Sequence, residues 1–265
     1  MAFYLQINLE RGDKLKDSNY TKFIDIGFND FKKFASDDNL SANEKVGFPD
    51  SYREGYDSHI LEDIDSKIGV ITPNEQVLDI GPGCSSLASD YIAKCTKAGS
   101  QITLIDSQEM LDLLPDLPGV TKIAGFYPSQ DIMDKLIVSA RFDKIICYSV
   151  FHYIFIEANV WTFLDLTLDL LNPGGRFLLA DIPNFSMRNR FFASDDGVDF
   201  YKKFINSSDS LTDRPAEISE NQIDDGVLIG MILRARNRGV HAYIVPQHPL
   251  LPMSNRREDL LFIKP

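Results

Sequence analysis

Between Glu75 and Pro183 the chain alternates short apolar runs with longer amphipathic segments. The runs fall at 76–80, 101–105, 120–124, 143–148 and 176–181, each a strand's length. Separated by helix-length stretches whose apolar positions recur every three or four residues, they predict strands joined by helices. Repetition of that unit predicts a parallel sheet covered by helices on both faces. Asn172-Pro173-Gly174-Gly175 reads as a breaker and turn ahead of the fifth strand.

The flanks follow other rhythms. Tyr20, Phe23, Ile24, Phe28, Phe31 and Phe34 form one stripe at helical spacing, and Ile60, Leu61, Ile64 and Ile68 form another. They predict an N-terminal helical cap over residues 1–70, ahead of a main domain at 71–265. From 184 to 225 the alternation stops, and Phe185, Phe191, Phe192, Phe200, Tyr201 and Phe204 are scattered among polar residues, which suggests a helical insertion over a pocket. Within it, Asp195-Asp196-Gly197-Val198-Asp199 lacks the ligand spacing of a calcium loop and reads as a solvated turn. A helix at 228–238 and strands at 240–245 and 260–263 complete the expectation: a Rossmann-like α/β fold with seven strands, mostly parallel.

Chemistry concentrates where the first strand ends. Val77-Leu78-Asp79-Ile80 runs into Gly81-Pro82-Gly83-Cys84-Ser85 and then into a helical pattern. Glycines there permit a sharp bend and let a ligand approach the main chain and the unpaired N–H groups of the helix start. The next run, Gln101-Ile102-Thr103-Leu104-Ile105, ends in Asp106, a carboxylate at a strand tip suited to accept hydrogen bonds from ribose hydroxyls. A dinucleotide fingerprint would require a third glycine near Leu87 or Ala88, where there is none, although a nicotinamide-dependent oxidoreductase stays open on these residues alone.

Asp79-Ile80-Gly81-Pro82-Gly83-Cys84-Ser85 resembles the first motif of the class I S-adenosylmethionine-dependent methyltransferases, acidic-x-Gly-x-Gly-x-Gly, with Ser85 in place of the last glycine. The segment from Phe142 to Tyr153 is similar to that family's fourth strand and following turn, and the segment from Leu170 to Leu179 to its helix, turn and fifth strand. The resemblance spans about residues 71 to 183. It implies a methyltransferase with S-adenosylmethionine as cofactor: Asp79, Gly81, Pro82 and Gly83 at the methionine portion, Asp106 at the ribose, and Ser107 and Ser149 completing the set. Met110 and Phe126 are expected to wall the adenine slot or to pack the core, with backbone groups or Asp131 as partners of the adenine edge. In this family the segment before the first strand commonly covers the cofactor and contributes to the substrate pocket. Gly47-Phe48-Pro49-Asp50-Ser51-Tyr52-Arg53-Glu54-Gly55 is also similar, more weakly, to methyltransferases of bacterial surface-glycan synthesis, which implies an O- or N-methylated sugar, a nucleotide-activated precursor or a related small metabolite.

Candidates on the substrate side each carry two readings. Tyr52 and Arg53 meet a carboxylate or phosphate, or form a surface turn. His152, just past the fourth strand, serves as a base for an acceptor that loses a proton, or as a structural histidine. Tyr153 beside it walls the pocket or packs the core. Arg188, with Arg190, receives a phosphorylated or nucleotide-linked substrate or belongs to a solvated stretch. Because the sequence compels no catalytic residue, a SAM-binding regulator or inactive partner subunit is the alternative to an enzyme.

Composition narrows the partners. A length of 265 residues with 44% hydrophobic content supports one α/β domain with additions. A net charge of −12 argues against nucleic acid and anionic membranes and favours a small-molecule substrate. Cys84, Cys95 and Cys147 lack metal-site spacing, as do the histidines, so no metal is expected, and reduced thiols fit a cytoplasmic protein. Neither a signal peptide nor a bilayer-length apolar run is expected.

Overall fold

A computed structural model describes residues 26–137, 141–205 and 222–265. Four helices come first: α1 (Phe28–Ala35), α2 (Ala42–Lys45), α3 (Asp50–Arg53) and α4 (Asp57–Ile68). Then follow β1 (Gln76–Ile80), α5 (Ser86–Ala98), β2 (Gln101–Asp106), α6 (Gln108–Leu111), β3 (Val120–Ala124), α7 (Gln130–Ile137), β4 (Phe142–Tyr148), α8 (Phe151–Glu157), α9 (Val160–Asp169) and β5 (Leu171–Pro183). Helices α10 (Phe185–Phe192) and α11 (Asp195–Ile205) form the described part of the insertion, before α12 (Asp225–Asn237), β6 (His241–Pro246) and β7 (Arg257–Ile263). Tyr20, Phe23 and Ile24 of the expected first stripe lie outside the described residues, as do the side chains of Tyr201 and Phe204.

The strands form one seven-stranded sheet in the order β3-β2-β1-β4-β5-β7-β6. All pairings are parallel except those of β7, which runs antiparallel to both β5 and β6. The expected Rossmann-like architecture is therefore present. Because the chain winds outward from β1 to β3 and then crosses back to β4, the strand order reverses beside β1 and opens a crevice at the carboxyl ends.

Strand periodicity separates the two cores. Leu78, Ile145, Cys147, Phe177 and Leu179 face one helical layer, with Phe163 and Leu164 of α9 and Leu228 and Met231 of α12. Their neighbours Val77, Ile146, Leu178 and Ala180 face the other, with Ile60, Ile64 and Ile68 of α4 and Tyr91, Ile92 and Cys95 of α5. Burying each large aliphatic side chain contributes about 1.5–3 kcal/mol, so both layers hold the strand ends in place.

Two expectations are corrected. Asn172-Pro173-Gly174-Gly175 does not precede the fifth strand but is carried within it: Leu171 pairs with Phe142 and Arg176 with Lys144, so residues 172–175 bulge from the ladder. Gly174, at φ 79°, donates its N–H to the Lys264 carbonyl at 2.8 Å, which holds the bulge against the sheet. Likewise Asp195-Asp196-Gly197-Val198-Asp199 is not a turn but the start of α11. Ser194 Oγ accepts the Gly197 N–H at 3.2 Å, and Asp195 and Asp196 sit in the first turn, where the helix dipole favours negative charge. Gly197 is buried, and a Cβ there would lie 2.0 Å from the Phe191 carbonyl oxygen, so the close approach of α10 and α11 requires a glycine.

Candidate active site

The bend after β1 is stapled to the tip of β2. Gly81 donates its N–H to the Ile105 carbonyl at 2.8 Å, and Gly83 donates to Asp106 Oδ2 at 2.9 Å. Both glycines have positive φ, 72° and 65°, and neighbours on either side close in on them. A Cβ on Gly81 would lie 2.7 Å from Val150 and one on Gly83 2.5 Å from Val46, so the bend is clasped between the end of β4 and the cap.

Two carboxylates follow from this arrangement. Asp106 is held by the N–H groups of Gly83 and Ser107, the latter at 2.6 Å. Burial pushes its pKa up to about 6 against the pull of those two donors. Asp79, only 7% exposed, has no hydrogen-bond or ion-pair partner for its carboxylate among the described residues. Burial, and then the charge of Asp106, raises it to about 7. A buried carboxylate without a partner is costly, and a cationic ligand group is the chemistry that would relieve it.

Above the bend lies a cavity of about 130 Å³, mostly apolar, at the crevice where the strand order reverses. Asp79, Gly81, Pro82, Gly83, Asp106, Met110, Phe126 and Ser149 all line it, as do Arg53 and Tyr153. The cap supplies its roof: the ring of Phe28 meets Phe126 edge-on at 5.3 Å, and Phe31 meets Tyr153 at 4.8 Å. Glu157 ties the roof down by accepting the Phe28 N–H at 3.1 Å.

Other expected residues stand elsewhere. Ser107 is buried behind the wall, where its Oγ caps α6 by accepting the Met110 N–H at 3.2 Å. His152 is not among the described lining residues; its ring lies 3.8 Å from that of Tyr153, its Nδ1 is buried without a partner, and burial drives its pKa well below the usual imidazole range. Arg188 lies on α10 with its guanidinium over the Phe192 ring at 5.1 Å, away from the cavity, and Arg190 pairs with Asp225 at 2.5 Å. Asp131 is exposed on α7 and does not line the cavity. Tyr52 falls within α3, but its side chain lies outside the described residues.

The structure also shows a buried network that the sequence reading missed. Asp181, near the end of β5, accepts from Ser149 Oγ, from Arg257 Nη1 at 2.5 Å and from Gln247 Nε2 at 3.3 Å, and lies 3.5 Å from Arg53 Nη2. Burial alone would raise its pKa, but Arg257 and Arg53 hold it below the usual carboxylate range. Gln247 also reaches Asp259, which pairs with Lys67 at 2.7 Å, and Lys67 pairs in turn with Asp63. One signal was present: Asp181 follows an apolar run just as Asp106 does. Nothing local marks Arg257.

Comparison with solved structures adds the fold's relatives. The plantazolicin methyltransferase BpumL, in complex with a triazolic desmethylPZN analogue and SAH, superposes with a TM-score of 0.54 at 15% identity, covering 89% of this chain and 98% of that one. The chain has a methyltransferase fold. The N-methyltransferase NodS from Bradyrhizobium japonicum WM9, in complex with S-adenosyl-L-homocysteine (SAH), gives 0.52 at 12% identity, covering 90% of this chain and 98% of that one. No protein-family model matches the sequence, and no curated protein sequence matches it. Likeness to these methyltransferases thus resides in the backbone path. No helix among the described residues is long and apolar enough to cross a membrane.

Proposed function

We propose that the chain is an S-adenosylmethionine-dependent methyltransferase that methylates an oxygen or nitrogen of a small molecule. The observation that carries this reading is the pair Asp79 and Asp106 on adjacent strand ends, one without a partner and one clasped by the Gly83 N–H, facing a roofed apolar cavity. Asp79 fits a cationic amino-acid portion, Asp106 has carboxylate lone pairs left for ribose hydroxyls, and Met110 and Phe126 offer flat apolar walls for adenine. When bound, the cofactor supplies an activated methyl group on a sulfonium that is itself the leaving group.

What the chain must add is alignment. Positioning of two reactants contributes roughly 7–11 kcal/mol to lowering such a barrier. Phe28 and Phe31 exclude water from above, Ser149 belongs with the cofactor side, and Arg53 and Tyr153 form the acceptor side. In this reading His152 supports Tyr153 from behind and is not the base. The acceptor class includes sugars and nucleotide-activated sugars of surface-glycan synthesis, in keeping with the N-terminal resemblance, and the protein works in the cytoplasm. Calorimetric titration with SAH and with NADH tests the reading: saturable SAH binding and no NADH binding are expected, and the reverse would overturn it. Incubation with methyl-labelled S-adenosylmethionine and fractionated metabolites then separates an enzyme, which yields a labelled product, from a regulator, which yields none.

A further inference from the structure

We infer, on the reading that the cofactor is held by β1 and β2, that Arg53 is the seat of an anionic group on the methyl acceptor. Arg53 is 8% exposed and is the one cationic side chain among the described residues lining the cavity. Its Nη2 donates to Ser149 Oγ at 2.5 Å and faces Asp181 Oδ2 at 3.5 Å. Its Nε and Nη1 make no hydrogen bond to any described residue, yet they are not sealed from the cavity. A carboxylate or phosphate in the cavity answers both the charge and the planar fork of these donors.

The distribution of charge around the cavity supports the assignment. Arg53 and Arg257 converge on one carboxylate, Asp181, while the neighbouring Asp259 is taken up by Lys67 and Gln247. With Asp63, which also pairs with Lys67, the network sets three carboxylates against three cations, and Arg53 is the cation that reaches the cavity. Elsewhere the charged lining among the described residues is acidic, with Asp57, Asp79, Asp106 and Glu157, so Arg53 is the cationic contact there for an anion.

Arg53 stands across the cavity from the ribose site, on the side that the proposed function gives to the acceptor. Asp106 and Asp79 stand on β2 and β1, whereas Arg53 rests on Ser149 and Asp181 at the ends of β4 and β5. From the tip of β2 to that of β5 is three strand spacings of about 4.8 Å, or about 14 Å. Around Arg53 the wall is aromatic: its guanidinium stacks over Phe48 at 4.2 Å and lies 5.4 Å from the Tyr148 ring centre. These rings hold the guanidinium in place, so the acceptor is one that carries a carboxylate or phosphate at the end away from the methylated atom.

The test titrates benzoate, phenyl phosphate and neutral benzamide into the SAH-loaded protein by calorimetry, for the native chain and for Arg53→Gln and Arg53→Lys. In the native chain at least one anion should bind roughly tenfold or more tighter than benzamide, the worth of one charge-assisted hydrogen bond, and the stronger of the two names the anion. Arg53→Gln should erase that preference and Arg53→Lys keep part of it, with SAH affinity within about twofold throughout. Absence of any anion preference in the native chain overturns the assignment, and needs no variant to fold. A fall in SAH affinity in Arg53→Gln with anion binding unchanged also overturns it and gives Arg53 to the cofactor. Failure of SAH itself to bind strikes the cofactor reading, in which case the same titrations on the unloaded chain still decide whether Arg53 seats an anion.

Discussion

Ser149 and Asp181 occupy equivalent places on adjacent strands: each follows one of the paired residues Tyr148 and Ala180, each has a left-handed backbone, φ 61° and 58°, and the Ser149 hydroxyl donates to Asp181 Oδ2. Non-glycine residues in that region cost about 1–3 kcal/mol each and persist where surrounding contacts over-determine them. Here the contacts are Arg53, Arg257, Gln247 and the Asp181 N–H, which donates to Asp259 at 2.8 Å. The bent strand ends turn a hydroxyl and a carboxylate toward the cap, and α3 is fastened there through Arg53.

Removing Asp181 should therefore cost more than one contact. Asp181→Ala leaves Arg53 and Arg257 buried without a shared counter-charge and is expected to lower stability by about 3–5 kcal/mol. Urea unfolding measures this; a midpoint equal to that of the native chain would show that the network does not hold the cap.

Asp79 sets a pH dependence of defined sign. Unfolded, its carboxyl loses a proton at the ordinary value of 3.8, and folded at about 7, so folding is opposed increasingly as pH rises between those values and the cost is complete above them. Asp79→Asn should raise the unfolding temperature at pH 8 and change it little at pH 3.5, while weakening SAH binding at pH 8. Thermal scans at the two pH values, each with and without SAH, check both halves. A variant less stable than the native chain at pH 8 would refute the burial argument.

Asp106→Ala removes the acceptor proposed for the ribose and also the partner of the Gly83 N–H. Each charge-assisted hydrogen bond contributes roughly 1.5–3 kcal/mol, so SAH affinity should fall by tenfold or more with the far-ultraviolet circular dichroism unchanged. Titration at constant ionic strength reads the effect. Native affinity in the variant would place the nucleoside elsewhere.

His152→Phe preserves the ring packed against Tyr153 while removing both nitrogens. Since the imidazole stands behind the cavity wall, turnover should change far less than the roughly 10²–10⁴-fold that a general base contributes. A loss of that size, together with a missing basic limb in the pH–rate profile, would restore His152 as a base.

Much of this architecture was legible before folding was considered. The central strands β1, β4 and β5 stood out because they are buried on both faces and so read as apolar runs, and the glycine bend and Asp106 were marked by residue types that few other backbones need. Asp181 carried the same mark as Asp106 and was overlooked; Ser194 ahead of Asp195 and Asp196 was a readable helix start mistaken for a turn. The breaker at 172–175 was recognised but misplaced, since the same residues end a strand or bulge from it depending on the partner alongside.

Periodicity, turn chemistry and strand-end residues act over a few neighbours, and for that reason the chain's own order of residues determined the sheet, its helical layers and the acidic floor of the cavity. Charge pairing acts across space. Arg53 meets Asp181, Arg257 meets the same carboxylate from β7, and Lys67 meets Asp259 across 192 residues of chain, partnerships that came into being only when the cap, β5 and β7 were brought together. Which charges pair and which of them borders the cavity was settled by that packing, because the cost of burying a charge depends on what lies beside it in the folded protein and not on what precedes it in the chain.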